Sequence, residues 1–309
     1  MGSPREGFGR GLVEAAKNNP RVVGLCADLR DSLCMNEFAG QFPERFVEVG
    51  VAEQNLVGVA SGMAAAGKIP FAGSYAVFSP GRNWEQIRTT ICYNNLPVKI
   101  ISSHVGVSVG PDGATHQALE DIALMRVLPN MVVVSPVDME EAYKATLAIA
   151  KDPRPCYLRL PRIEVPVITN KETIFQLGKG EILREGGSVT VIATGTMISK
   201  ALEAAQELEK HNISVRVINI HTIKPLDERL ILRAAEETGA LVTAEEHQIA
   251  GGLGSAVAEV VGQKFPVPVG IVGVDNRFGQ SGSAEELMKE YDLTVERIIQ
   301  SVTTVLRMK

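Results

Sequence analysis

Short apolar, β-branched runs alternate along this chain with longer helical stretches, and that alternation limits the possible folds more than any other feature. Val22-Val23-Gly24-Leu25-Cys26-Ala27 comes first, then an Ala/Gly-rich helix starting near Glu53, then Lys99-Ile100-Ile101-Ser102-Ser103, a helix from Gln117, and Met131-Val132-Val133-Val134. Strands spaced by helices in this way predict an α/β fold built on a parallel sheet with helices on both faces. Ligands of such sheets lie outside the carboxyl ends of the strands, so the residues that follow strands, here Asp28 and His104, are the expected site positions.

From residue 166 the pattern gives way to turn chemistry, with Pro166, Thr169-Asn170-Lys171 and Gly186-Gly187 and no long periodic helix. A second α/β unit opens at Val189-Thr190-Val191-Ile192-Ala193. It continues with a helix from Ser199 to His211, a strand Val215-Arg216-Val217-Ile218, a helix after Asp227 and a strand Leu241-Val242-Thr243-Ala244. The expected division is a first domain over 1–165, a linker over 166–187 and a second domain over 188–309. A length of 309 residues at 45% hydrophobic content agrees, because one core seldom serves so long a chain and two domains of about 150 residues are the usual solution.

Charge narrows the function classes. The net charge is −5, with basic and acidic residues interspersed, so no basic stripe argues for nucleic acid. Cys26, Cys34, Cys92 and Cys156 show neither metal-site spacing nor the density of a disulfide scaffold, and read as reduced, mostly buried thiols. With no apolar signal-peptide core at the N-terminus and no run near the ~20 apolar residues a membrane span needs, a cytoplasmic protein without a membrane partner is expected.

Two stretches carry chemistry. Phe46-Val47-Glu48-Val49-Gly50-Val51-Ala52-Glu53-Gln54-Asn55 puts a carboxylate at the mouth of an apolar helix, and Gly110-Pro111-Asp112-Gly113-Ala114-Thr115-His116-Gln117 puts Asp and His in a Gly-bracketed loop. The layout suits acid/base work, since imidazole titrates close to neutrality and a carboxyl in an apolar site has its pKa raised. The adjacent helix N-terminus pulls Glu53 the other way, and a Glu in the first turn of a helix also has a plain stabilising use. Tyr75 and Phe78, three apart in a Gly/Ser-rich stretch, are either an aromatic wall or two core rings.

Taken in order, Val49-Gly50-Val51-Ala52-Glu53-Gln54, Gly73-Ser74-Tyr75-Ala76-Val77-Phe78, Asp112-Gly113-Ala114-Thr115-His116-Gln117, Tyr157-Leu158-Arg159, Thr222-Ile223-Lys224-Pro225-Leu226-Asp227 and Gly251-Gly252-Leu253-Gly254 resemble the second half of transketolase. The likeness spans nearly all of the chain and implies a pyrimidine-binding domain followed by the transketolase C-terminal domain. Absent is the Gly-Asp-Gly motif, followed some thirty residues later by Asn, with which that family binds magnesium and the cofactor diphosphate; the one Asp-Gly here is Asp112-Gly113. The resemblance therefore implies the C-terminal subunit of a transketolase split into two polypeptides, inert alone. An N-terminal subunit would supply the Mg2+ ligands, thiamine diphosphate would be shared between the two, and the assembly would be an α2β2 heterotetramer.

By the same resemblance Glu53 hydrogen-bonds the cofactor pyrimidine, Phe78 and Tyr75 stack on it, and Asp28 faces it. His104 and His116 handle protons of the sugar hydroxyls, Asp112 bonds a hydroxyl between them, and Arg5, Ser32 and Arg159 hold the sugar phosphate, guanidinium matching phosphate oxygens bidentately. Similar transketolases carry a further Tyr where this chain has Gly81. The implied activity is transfer of a two-carbon ketol unit from a ketose phosphate to an aldose phosphate in the pentose phosphate pathway. Three alternatives stand beside it: the β subunit of a two-chain 2-oxo acid dehydrogenase, which has no need of the His104, Asp112, His116 array; 1-deoxyxylulose-5-phosphate synthase, normally one full-length chain; and a non-catalytic partner subunit. In the second domain, Gly251-Gly252-Leu253-Gly254 opens a helix whose N-terminus serves either an anion or close packing. His221 and His247 are expected to be structural or to lie at subunit contacts.

Overall fold

The computed structural model describes residues 1–309 and folds them around two sheets. The first half contains α1 (Pro4–Asn18), β1 (Val22–Cys26), α2 (Asn36–Gln41), β2 (Phe46–Glu48), α3 (Glu53–Ala65), β3 (Ile69–Tyr75), α4 (Trp84–Gln86), β4 (Lys99–Ser103), α5 (Asp121–Arg126), β5 (Val132–Val134), α6 (Met139–Lys151) and β6 (Cys156–Leu160). The second contains β7 (Glu181–Arg184), β8 (Val189–Ala193), α7 (Met197–Glu209), β9 (Val215–Asn219), β10 (Thr222–Lys224), α8 (Glu228–Thr238), β11 (Leu241–Gln248), α9 (Leu253–Lys264), β12 (Val269–Val274), α10 (Ala284–Glu290) and α11 (Val295–Met308).

Strand order in the seven-stranded sheet is β10-β5-β6-β4-β3-β1-β2, parallel except for β10 against β5. Every residue of β1, β4 and β6 is buried, as expected of strands covered on both faces. The chain runs outward from β1 to β2 and then returns to β3 on the other side of β1. That reversal opens a crevice at the carboxyl ends of β1 and β3, where open α/β sheets bind ligands. The five-stranded sheet, β12-β11-β8-β9-β7, is parallel apart from β7 against β9.

Three local expectations shift. The stretch expected to be a linker contributes β7 to the second sheet, and β10, from the second half, crosses to extend the first. The helix expected from Gln117 begins at Asp121, because the Gln117 amide donates to the carbonyls of Val107, Gly110 and Gln280 and keeps that segment a loop. The α9 N-terminus is filled by the chain's own Glu245: its buried carboxylate accepts from the Leu253 and Gly254 amides (2.7 and 2.8 Å), and a Cβ at Gly252 would lie 2.0 Å from it. No helix is long and apolar enough to cross a membrane. All four cysteines are free, and burial pushes the Cys92 and Cys156 thiols up to about 11.

Candidate active site

In the first sheet, two residues just past strand ends adopt the left-handed conformation, Asp28 (φ 60°) after β1 and His104 (φ 58°) after β4. For a non-glycine residue this costs on the order of 1 kcal/mol or more, and such strain gathers where geometry serves function. The bend at His104 lays its ring over Tyr75, at the end of β3, with centroids 3.8 Å apart and planes 24° apart. Phe78 stands 6.0 Å from Tyr75 and meets the His116 ring edge-on at 5.3 Å. Four rings from β3, the turn after it, the end of β4 and the Asp112 loop thus form one wall.

Glu53 is the first residue of α3 and is buried, 5% exposed, with no side-chain cap at the preceding Ala52. Asn83 donates to its carbonyl (2.9 Å), fixing the helix start against the turn after β3. Both carboxylate oxygens accept from Nη1 of Arg82 (3.0 and 3.1 Å), whose guanidinium also lies 4.1 Å over the Phe78 ring centroid. Arg82 thereby closes the outer wall beside Gly81. A Cβ at Gly81 would sit 2.0 Å from the Val77 carbonyl oxygen, so the turn after β3 has no room for a side chain at that position.

Next to the ring wall lies a cavity of about 460 Å³ lined by Asp28, Leu29, Arg30, Asp31, Ser32, Phe46 and Glu48. The Glu48 carboxylate shapes it by accepting from the amides of Asp28 (2.8 Å) and Gly50 (2.9 Å). Ser32 joins cavity and wall, its Oγ accepting from the Tyr75 hydroxyl at 3.0 Å. Arg5 donates to the carbonyls of Ser32 and Arg162 (both 2.8 Å), while its buried Nε–H has no partner. That orphaned donor suits an anionic ligand.

His104 is held neutral: burial first, then the positive charge of Arg5, Arg162 and His116, lower its pKa to about 3. In place of a group titrating near neutrality stands a ring held neutral, with Nδ1 2.9 Å from the Ser103 hydroxyl. His116 lies more open, Nδ1 3.0 Å from the Thr115 hydroxyl.

The structure does not bring Arg159 to this wall. It is 3% exposed on β6, paired with the Asp121 carboxylate (2.7 and 3.2 Å) and donating to the Glu246 carbonyl (2.7 Å), so its guanidinium is spent inside the protein. Arg162 stands where Arg159 was expected: it follows β6, donates to the Val109 carbonyl (2.6 Å) and approaches Asp112 at 3.6 Å. Its position beyond a strand end was the sequence signal that could have found it. Arg82 offered no comparable signal, because its partners come together only in the folded chain.

Comparison with known proteins places the fold. Residues 3–167 match the transketolase pyrimidine-binding domain and residues 178–298 the transketolase C-terminal domain, and the chain belongs to the transketolase family. Within that family it is of the kind that forms the C-terminal subunit of a split enzyme. It is 42% identical to the 6-deoxy-6-sulfo-D-fructose transketolase subunit of Clostridium sp. (96% of this chain, 92% of that one). It is 37% identical to one subunit of the apulose-4-phosphate transketolase of Phocaeicola vulgatus (96% and 95%). A solved split-gene transketolase, described as an inactive beta4 tetramer, superimposes with a TM-score of 0.94 at 46% identity over the whole of both chains.

Proposed function

We propose that this chain is the C-terminal subunit of a thiamine-diphosphate-dependent transketolase that moves a two-carbon ketol unit from a ketose phosphate to an aldose phosphate, as in the pentose phosphate pathway. The observation that carries the reading is the convergence of Glu53, Tyr75, Phe78, His104, His116 and Asp112 at the carboxyl ends of the central strands: a buried carboxylate beside aromatic faces, next to groups able to bond sugar hydroxyls. Thiamine diphosphate, bound between this chain and an N-terminal subunit, would supply the carbon nucleophile. A buried carboxylate and an aromatic face fit an aminopyrimidine. Glu53 would hydrogen-bond the ring nitrogen and hold or share its proton, and Phe78 and Tyr75 would fix the ring plane. The diphosphate contacts and Mg2+ ligands would come from the partner, in an α2β2 heterotetramer.

On the substrate side, neutral His104 would donate or accept at a sugar hydroxyl, His116 would move a proton at the neighbouring one, and Asp112 would accept a hydroxyl hydrogen bond. Arg5, Ser32 and Arg162 would hold the anionic end of the sugar. Relatives named for a sulfonated and a phosphorylated sugar support a phosphate or a sulfonate at that end. The test is reconstitution: co-express the chain with a candidate subunit carrying Gly-Asp-Gly and the following Asn, add thiamine diphosphate and magnesium, and assay ketol transfer from xylulose 5-phosphate to ribose 5-phosphate. Turnover that disappears in Glu53→Ala supports the reading. Silence with every such partner, or undiminished turnover in Glu53→Ala, refutes it.

A further inference from the structure

The loop that carries Asp112 and His116 leaves the first sheet but is built into the second domain. Val107 and Leu119 belong to the hydrophobic core of that domain, together with Val191, Met197 and Leu287. At the loop base, Val105 bridges Ala118 and the Gly106 amide donates to the Ala118 carbonyl (2.8 Å), which closes the loop onto itself. One side chain then fixes its path. The Glu246 carboxylate at the end of β11, 1% exposed, accepts from the Ser108 amide through Oε1 and from the Thr196 hydroxyl through Oε2, each at 2.7 Å.

Close approach to that carboxylate is what the local sequence permits. Gly106, at φ 76°, would place a Cβ 2.0 Å from Glu246 Oε1, so only glycine lets the loop backbone lie against it. No cation forms a salt bridge to Glu246, although a buried carboxylate is costly without compensation. The Ser108 N–H can only donate, so the direction of that bond is fixed. The far end of the loop is held by the same domain, where the Gln117 amide donates to the Gln280 carbonyl (3.0 Å).

We propose that Glu246 is a positioning residue: through Ser108 it sets the place of Asp112 and His116 for substrate, which gives the C-terminal domain a part in sugar binding. This rests on the reading that the loop faces the sugar. Glu246→Gln keeps an acceptor for Ser108 and turns its amide toward the Thr196 oxygen; Glu246→Ala removes both bonds. Hydrogen exchange of the chain in the reconstituted complex is followed together with kinetics and cofactor titration.

In Glu246→Ala, amides 106–117 exchange at least about ten-fold faster while those of β1 and α3 do not change. KM for the ketose phosphate rises about ten-fold, affinity for thiamine diphosphate stays within about two-fold, and Glu246→Gln restores both loop protection and KM. Should Glu246→Ala fail to fold, Thr196→Val, which deletes one of the two bonds, gives the same pattern at about three-fold. Unchanged exchange over 106–117, or an increase spread evenly over the chain, overturns the proposal. An inactive wild-type complex would sink the transketolase reading instead, leaving the exchange pattern to decide the brace.

Discussion

Glu53 makes the sharpest demand at the scale of single residues. Its carboxylate is buried, lies against an aromatic wall and is met by one cation, Arg82. Glu53→Gln preserves shape and removes the acid, so turnover of the reconstituted complex should fall by about 100-fold or more, with the melting temperature measured alongside to exclude unfolding. His104 makes a different demand, since its pKa near 3 lies below that of the unfolded chain. A depressed pKa means that the stability tied to this residue is intact above about pH 6.5 and is lost as pH falls toward 3, where the unfolded state takes a proton the folded state refuses. An NMR titration should find the His104 ring still neutral at about pH 4.5. Of the candidate site, Glu53, Tyr75, Phe78, Asp112 and His116 were singled out by contiguous motifs, with their roles implied by the resemblance to transketolase, and the fold brings the rings of Tyr75, Phe78 and His116 together. Arg159 was misread because one-dimensional neighbourhood does not say which of two nearby arginines faces a crevice and which is consumed by Asp121.

Among the elements, the pair α1 and α6 sets Arg5 in place. Gly7 brings the helices so near that a Cβ there would meet the Met139 carbonyl oxygen at 2.0 Å, and backbone atoms cannot step aside as a flexible side chain would. Gly7→Ala should therefore destabilise the chain by about 2 kcal/mol or more in urea unfolding. It should also shift the start of α1 and weaken binding of an anionic sugar. The helix expected after Asp227 was legible from its pattern: Asp227 caps α8, its carboxylate accepting from the Leu230 amide (3.2 Å). Helix starts governed by distant groups were not, as with α5, delayed by the carbonyls that Gln117 reaches.

Across the whole molecule, a buried carboxyl ties the halves together. Glu141 accepts from the Val137 amide (2.6 Å) and the Asn219 amide (2.8 Å), and burial above all pushes its pKa up to about 8. A raised folded pKa means that its stabilising proton is fully kept below about pH 4.5 and its benefit is lost as pH rises through 8. Between pH 5 and pH 8 the wild-type chain should lose on the order of 3 kcal/mol relative to Glu141→Gln, read from denaturant unfolding of both at the two pH values. Composition, periodicity and turn chemistry determined, by themselves, that this is an α/β chain in two parts, with chemistry where strands end, because those signals act over a few residues at a time. Only the tertiary structure decided which arginines meet the cleft, that β7 and β10 trade sides of the domain boundary, and that Glu245 fills a helix N-terminus while Glu246 braces a distant loop. Most of those outcomes depend on groups far apart in sequence competing for the same hydrogen bonds and the same space, and that competition is resolved only when the chain packs.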